Sequence, residues 1–251
     1  MTKEKERIMD DRVKRNVKLA DDIGNKVTSL GFNRGYMGAD LSDIYIEREK
    51  YQELIDKFLT TDIKDPEAIG SILIGVRTSL QHTIYHFRSV RGPLQRLLDY
   101  CYKDDKDAQY LKAVDVYINV IKTYERNIEM FKKTPSEMEI LKDDRIKRNV
   151  RLAIDIDNKV KALALRRPTQ ASMGANLSDI YVYLDSYKEL IDKFLAMDTK
   201  DRRAIGNVLV EVQIVLKQIY EHYKTVRKAQ ERVIEHCYAE DDEEGQESNG
   251  S

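Results

Sequence analysis

The chain contains a long internal duplication, and no other feature of the sequence constrains its fold as strongly. Three stretches recur almost unchanged: Asp10–Val17 returns as Asp143–Val150, Met37–Tyr45 as Met173–Tyr181, and Glu53–Leu59 as Glu189–Leu195. The offset is 133 residues before the Gly31 region and 136 after it, so the second copy holds three additional residues near Pro168. The duplication predicts that both copies adopt the same local structure.

Apolar residues in each copy recur at steps of three and four, which is the spacing of an amphipathic helix. The first helix is predicted to run from about Lys3 to Leu30. Its predicted apolar stripe consists of Val13, Val17, Ala20, Ile23, Val27 and Leu30. The second helix is predicted to begin near Leu41, because Asp40, and Asn176 in the copy, have side chains that commonly cap a helix N-terminus.

The third helix, from about Pro66 to Tyr102, has the most regular pattern. Its core positions alternate in steps of four and three: Ile69, Leu73, Val76, Leu80, Thr83, Phe87, Val90, Leu94, Leu97 and Cys101. This heptad pattern predicts packing at a shallow, left-handed angle. A helix of this length is ~55 Å long, at ~1.5 Å per residue, and therefore predicts an elongated molecule. Gly92 and Pro93 predict a kink or a break.

One further amphipathic segment, Asp107 to Lys132, has no copy and is predicted to be a bridging helix. The sequence therefore predicts an all-α fold of two tandem homologous three-helix units, an elongated helical bundle with long heptad-patterned helices. The predicted boundaries are 1–103 (repeat 1), 104–134 (bridging helix), 135–238 (repeat 2) and 239–251 (disordered acidic tail). The pattern leaves open whether the units fold separately or share one continuous core.

Composition excludes several classes of protein. Charged residues make up 35% of the chain, and no stretch is apolar for the ~20 residues that a membrane-spanning helix needs, so no membrane insertion is expected. Two cysteines cannot form a disulfide framework, and the charged residues Lys3 to Arg7 do not resemble a secretory signal, so a cytoplasmic location is expected. The net charge is −1, and because six acidic residues lie in the tail, the rest of the chain carries about +5.

Residue types that serve catalysis are present, but not in catalytic patterns. His82 and His86 lie four residues apart, a spacing that can chelate a metal ion, yet the second copy keeps only His222 and has Gln218 at the other position. Cys101, like its copy, falls on the last core position of the heptad, where a small buried thiol is expected. No phosphate-binding loop, dinucleotide-binding glycine pattern or zinc-protease motif occurs. We therefore predict no enzymatic activity, no metal and no cofactor.

Polar residues that both copies keep on the first and second helices are the candidate partner-binding residues. They are Arg12, Arg15, Asn16 and Tyr45 in the first copy and Arg145, Arg148, Asn149 and Tyr181 in the second. Tyrosine suits a half-exposed interface because one end of its side chain is apolar and the other polar. A second interpretation fits the same residues: the arginines and asparagines form an internal polar network, and the tyrosines close the rim of a narrow core.

These features predict a non-enzymatic protein-protein interaction or scaffolding protein. It presents two similar helical faces to a protein partner and forms a homo-oligomer through a helix face. The alternative is a nucleic-acid-binding accessory protein. That protein would use nine basic residues between Lys142 and Arg167 as a binding stripe, for which the acidic tail competes in an autoinhibitory way.

Overall fold

All regular structure in the described part of the chain is α-helical. The computed structural model describes residues 3–32, 36–103, 144–163 and 173–239, with side chains described from residue 11 in the first segment and from residue 147 in the third. Six helices result: α1 Lys3–Ser29, α2 Met37–Thr60, α3 Pro66–Cys101, α4 Asp144–Ala162, α5 Met173–Ala196 and α6 Arg202–Ala239. The predicted all-α class is confirmed for these residues. The predicted bridging helix, 104–134, and the tail beyond Ala239 lie outside them.

Local chemistry accounts for several helix ends. α1 ends at Ser29, and Gly31 two residues later has a φ of 80°, the left-handed conformation that closes a helix C-terminus. α3 begins at Pro66, directly after Asp65, and the carboxylate of Asp65 accepts a hydrogen bond of 2.9 Å from the backbone N–H three residues on. Asp201 caps α6 in the same way, also at 2.9 Å. No helix of the described residues is both long enough and apolar enough to cross a membrane.

The predicted start of the second helix is wrong. α2 begins at Met37, four residues early, so Asp40 lies inside the helix and its backbone N–H already bonds to Tyr36 O at 3.0 Å. The reason is a close approach between helices: a Cβ atom at Gly38 would overlap the carbonyl oxygen of Ala20 in α1. Glycine therefore lets the first turn of α2 pack directly on the backbone of α1, which leaves the Asp40 carboxylate available for side chains of α3.

The third helix agrees with its heptad pattern and does not break at Pro93. Every predicted core position from Ile69 to Cys101 is buried. α3 continues through Pro93 because Val90 and Leu94, on either side of it, are fully buried and hold the helix in place. Burial of such side chains offsets the ~3 kcal/mol that proline costs inside a helix.

The predicted apolar stripe of the first helix is only partly correct. Ile23 and Val27 are fully buried, but Val13 and Val17 are 55% and 58% exposed. At about 100° per residue, Val17 lies about 80° around the helix from Val27, on the flank of the buried face. The angle alone does not decide exposure, because the equivalent Val150 of α4 is only 3% exposed.

The chain divides into two compact units, and each unit takes helices from both repeats. Unit 1 comprises residues 3–32, 36–49, 81–103 and 183–218, and unit 2 comprises residues 50–80, 144–163, 173–182 and 219–239, within the described part of the chain. α1 therefore belongs to unit 1 and α4 to unit 2, whereas the other four helices contribute to both. The predicted boundaries at 103 and 135 delimit the sequence repeats, and the compact units have boundaries of their own.

Two buried tyrosines connect the repeats inside these units. In unit 2, the hydroxyl of Tyr51 in α2 donates to the backbone carbonyl of Leu177 in α5 at 2.7 Å. In unit 1, the hydroxyl of Tyr187 in α5 donates to the carbonyl of Leu41 in α2, also at 2.7 Å. Both rings are completely buried. Because each hydroxyl has one acceptor deep in the unit, these bonds fix the register of the second helix of one repeat against that of the other.

Two lysines form a second connection of this kind. In unit 1, Lys26 of α1 donates to the backbone carbonyls of Leu195, at 3.2 Å, and Met197 at the C-terminus of α5. In unit 2, Lys159 of α4 donates to the equivalent carbonyls at the end of α2. A cation satisfies the unpaired carbonyls of a helix C-terminus and is favoured there by the helix dipole. The first helix of each repeat thus caps the second helix of the other.

We predict that Gln230→Leu stabilises the protein. Gln230 occupies a heptad core position of α6 and is completely buried; its amide nitrogen donates to Leu73 O at 2.9 Å, but its amide oxygen has no partner among the described residues. Repeat 1 has Leu94 at the equivalent position. Removing a half-satisfied buried amide should raise the free energy of unfolding by about 1–2 kcal/mol in urea titrations.

The reverse change is the matched control for this prediction. Leu94→Gln introduces a buried amide into unit 1 and should lower the free energy of unfolding by about 2 kcal/mol or more. A Gln230→Leu protein that is less stable than wild type would mean that the amide contributes more than its unpaired oxygen costs.

Candidate functional site

A cluster of polar side chains, the polar centre of unit 1, lies where α1, α2 and α3 meet. It consists of Asn16, Asp40, Asp43, His86 and Ser89. One Asp40 oxygen lies 2.9 Å from Nδ1 of His86, and the other accepts a 2.6 Å hydrogen bond from the Ser89 hydroxyl. Asp43 accepts a 2.7 Å bond from the Asn16 amide and lies 3.6 Å from Nδ1 of His86. The centre ties three helices together through two carboxylates.

Unit 2 has an equivalent polar centre, made by Asn149, Asn176, Asp179 and His222. The Asn149 amide donates to Asp179 at 2.9 Å, and Nδ1 of His222 lies 2.8 Å from the Asn176 amide oxygen and 3.8 Å from Asp179. Asn176 stands where unit 1 has Asp40, so this centre has one carboxylate fewer.

Burial dominates the electrostatics of the unit 2 centre. It lowers the pKa of His222 below the ordinary 6.5, and the nearby negative charge of Asp179 opposes this only in part. Burial also raises the pKa of Asp179 above the ordinary 3.8, against the hydrogen bond from Asn149 and the influence of His222. Both shifts disfavour the charged form, as expected for ionisable groups removed from water.

The other histidine of α3, His82, has a carboxylate partner that the sequence did not predict. Nδ1 of His82 lies 3.4 Å from Glu47, whose side chain is buried, while His82 itself is exposed. Together with Asp40 and Asp43, Glu47 forms a stripe at steps of three and four along α2, and this spacing was the available signal. Among the described residues, no three or more His, Cys, Asp or Glu side chains are arranged to hold a metal ion.

The two cysteines are buried in the core. Burial raises the pKa of the Cys101 thiol to about 11, although nearby Arg202 favours the thiolate. At neutral pH this thiol is protonated, and a protonated thiol is a poor nucleophile.

A basic face lies on the outside of the first helix of each repeat. In unit 2, Lys147, Arg148 and Arg151 of α4 line an open depression of about 460 Å³ together with Leu152 and Asp155. The equivalent positions on α1 hold the same chemistry: Lys14, Arg15, Lys18, Leu19 and Asp22. We use the name basic face for Lys14, Arg15 and Lys18 in unit 1 and for Lys147, Arg148 and Arg151 in unit 2.

The predicted partner-binding arginines lie at or next to the basic face. Arg15 forms two hydrogen bonds with Glu49 of α2, at 3.0 and 3.1 Å, and its side chain is still 58% exposed. Arg12 lies 3.9 Å from the same carboxylate and is more buried. Arg148 is exposed on α4. Arg145 belongs to α4, but its side chain lies outside the described part.

The other predicted residues have different surroundings. Asn16 and Asn149 lie in the polar centres, so the structure places them in the internal network that the sequence allowed as an alternative. Tyr45 is half-buried in unit 1, where its hydroxyl lies 3.4 Å from Asp192 and Lys188 lies 5.5 Å from its ring centre.

Tyr181 is half-buried in unit 2, close enough to Tyr51 to contribute to the raised pKa of that buried phenol. The partner-binding role of all these residues stays a prediction.

The chain was compared with protein-family models, with curated proteins and with solved structures, and none of them matches it.

We predict that the unfolding free energy falls as the pH is lowered from 7.5 to 5.5, and that His222→Gln reduces this fall. Because the pKa of folded His222 lies below 6.5, the unfolded chain binds a proton first, and stability is lost as the pH drops below about 6.5. The raised pKa of Asp179 acts in the opposite direction at lower pH. Urea titrations across this range should show slopes that differ by up to ~1.4 kcal/mol per pH unit. Equal slopes in the two proteins would refute the assignment.

Proposed function

We propose that this protein is a non-enzymatic interaction or scaffolding protein that presents two similar helical faces, one in each compact unit, to a protein partner. The faces are the two basic faces. The observation that supports this function is that the two repeats keep residues of the same charge on the outer side of their first helices, while several exposed positions of their third helices have changed.

Burial explains why core positions match between the repeats, but it does not explain matches at exposed positions. The exposed surface of the third helices has diverged strongly: Glu67 corresponds to Arg203, Gln81 to Lys217, Tyr85 to Glu221 and Gly92 to Lys228. The basic faces have not diverged: Lys14 corresponds to Lys147, Arg15 to Arg148 and Lys18 to Arg151. A partner that binds both faces would favour this retention of charge.

The composition of the basic faces favours an acidic protein surface as the partner. Arginine pairs with carboxylates through two parallel hydrogen bonds, as Arg15 does with Glu49. Leu152 and Asp155 line the same depression in unit 2, and in unit 1 the exposed Val13 and Val17 lie beside Lys14 and Lys18. Apolar and acidic groups among the basic ones suit a protein interface better than a phosphate backbone, which a carboxylate would repel.

The proposal includes the organisation predicted from the sequence. Two homologous three-helix repeats are joined by the segment 104–134, and the protein is cytoplasmic and self-associates. The paired tyrosine and lysine contacts inside the two units support the equivalence of the repeats.

A second candidate function is nucleic-acid binding, with the acidic tail as a competitor. The three cations around the depression on α4 favour it, because such a cluster attracts phosphates in a salt-dependent way.

The first test is the stoichiometry of partner capture from the protein's own host, measured by crosslinking and native mass spectrometry. If both faces bind, wild type carries two partner molecules per chain. Lys14→Glu/Lys18→Glu and Arg148→Glu/Arg151→Glu should each leave one partner, and the combined variant none, because reversed charges repel an acidic surface.

The control keeps the same change of charge away from the basic faces. Lys217→Glu/Lys228→Glu alters two exposed positions at which the repeats differ, and should bind like wild type. If the basic-face variants capture as many partner molecules per chain as wild type, the proposal is contradicted. The nucleic-acid alternative would be favoured by two results with labelled oligonucleotides, measured between about 50 and 200 mM salt. The basic-face variants would lose oligonucleotide binding, and deletion of residues 240–251 would strengthen oligonucleotide binding by the otherwise unchanged chain.

A further inference from the structure

The first and last turns of the long helices form a third pair of contacts between the repeats. In unit 2, Gly70 near the start of α3 faces the end of α6: a Cβ atom at Gly70 would lie 3.1 Å from Cβ of Cys237 and 2.8 Å from the ring of Tyr238. In unit 1, Gly206 near the start of α6 faces the equivalent residues of α3, at the same 3.1 and 2.8 Å. Glycine allows this close approach, and a Cβ atom at either position would require the neighbouring tyrosine ring to shift.

Three kinds of contact therefore occur twice, with the roles of the repeats exchanged. A buried tyrosine donates a hydrogen bond to the second helix of the other repeat, and a lysine caps that same helix. A glycine near the start of the third helix contacts the C-terminal end of the third helix of the other repeat. Reciprocal contacts of this kind characterise the interface of a two-fold symmetric dimer, in which residue i of one copy contacts residue j of the other and the reverse. Here the two copies belong to one chain.

We infer that two copies of this chain can exchange repeats. The surface that repeat 1 uses to contact repeat 2 of its own chain would then bind repeat 2 of the second chain, and the reverse. In the resulting dimer, each unit is built from repeat 1 of one chain and repeat 2 of the other. No contact inside a unit has to change, because each contact described above lies either within one repeat or between repeat 1 and repeat 2, whichever chain supplies them.

One ion pair favours the pairing of unlike repeats. Two guanidinium nitrogens of Arg48 lie 2.8 and 2.6 Å from an oxygen of Asp185 in unit 1, and both side chains are largely buried. Repeat 2 has Leu184 at the position of Arg48, so two copies of repeat 2 would place this leucine beside Asp185 and leave the carboxylate without its guanidinium. Exchange between two chains preserves the ion pair in both of the resulting repeat pairs.

The protein concentration during folding determines whether repeat 1 pairs with repeat 2 of its own chain or with repeat 2 of a second chain. Forty residues, 104–143, separate the described parts of the two repeats along the chain, and covalent linkage of two binding partners gives an effective local concentration on the order of millimolar. Folding at micromolar concentration therefore yields single chains. Folding near millimolar concentration yields exchanged dimers, which persist on dilution because separation of the two chains requires opening all four units of the dimer.

The test uses the full chain in ordinary and 15N-labelled form. The two preparations are unfolded, mixed and refolded at about 1 μM and at about 1 mM, and then examined by native mass spectrometry at equal dilution. We expect mainly monomers from the dilute sample, because self-association through a helix face is lost on dilution. We expect a large fraction of dimers from the concentrated sample, with light, mixed and heavy species near 1:2:1, as random pairing requires. Absence of dimers after concentrated refolding overturns the inference.

A disulfide distinguishes exchanged dimers from dimers that associate through their surfaces. Gly70→Cys with Cys101→Ser leaves one close thiol pair, residues 70 and 237, which belong to different repeats of unit 2. After oxidation, an exchanged dimer is covalently linked on a non-reducing gel, whereas a surface dimer runs as monomers and overturns the inference. Gly206→Cys with Cys237→Ser is the matched variant for unit 1. If either variant folds poorly, the isotope-labelling experiment on the unmodified chain still shows whether dimers form.

Discussion

The hydrogen bonds from the Tyr51 and Tyr187 hydroxyls to backbone carbonyls of the opposite repeat are the constraint on which the rest of the structure depends. Burial raises the pKa of both phenols well above the ordinary value, and the acidic residues close by raise it further, so both hydroxyls remain donors. Each bond aligns α2 with α5. With these helices in register, Lys26 and Lys159 reach the helix ends that they cap, and Gly70 and Gly206 meet the ends of α6 and α3.

The polar centres add specificity to this framework. Their carboxylates are held by donors from the first and third helices, so a shift of any one helix would leave a buried charge without partners, at a high energetic cost. The same arrangement explains why Asn16 and Asn149 match between the repeats without reference to a partner. The basic faces match as well, and because they lie on the outer side of the first helices they are the candidates for binding.

Much of the fold could be read from the sequence, because helix periodicity is a local property. The heptad positions of α3 are buried as predicted, and Pro66 begins that helix. The contacts of the candidate site were harder to predict from the sequence. The sequence predicts a cap at Asp40 because the contact of this residue with His86, 46 residues away, has no local signal. The contact of Glu47 with His82 spans 35 residues and is not predicted for the same reason. Val17 and Val150 are equivalent in sequence but differ in exposure, which depends on what lies beside each helix.

The sequence by itself determined that the chain forms two similar sets of amphipathic helices, and which face of most helices is apolar. Only the tertiary structure decided which helices share a unit. The physical reason is that periodicity identifies an apolar face but not its partner, and because both repeats have the same faces, packing within a repeat and packing between repeats are equally compatible with the pattern. The choice depends on long-range contacts such as those of Tyr51 and Arg48, which carry no signal in the local sequence.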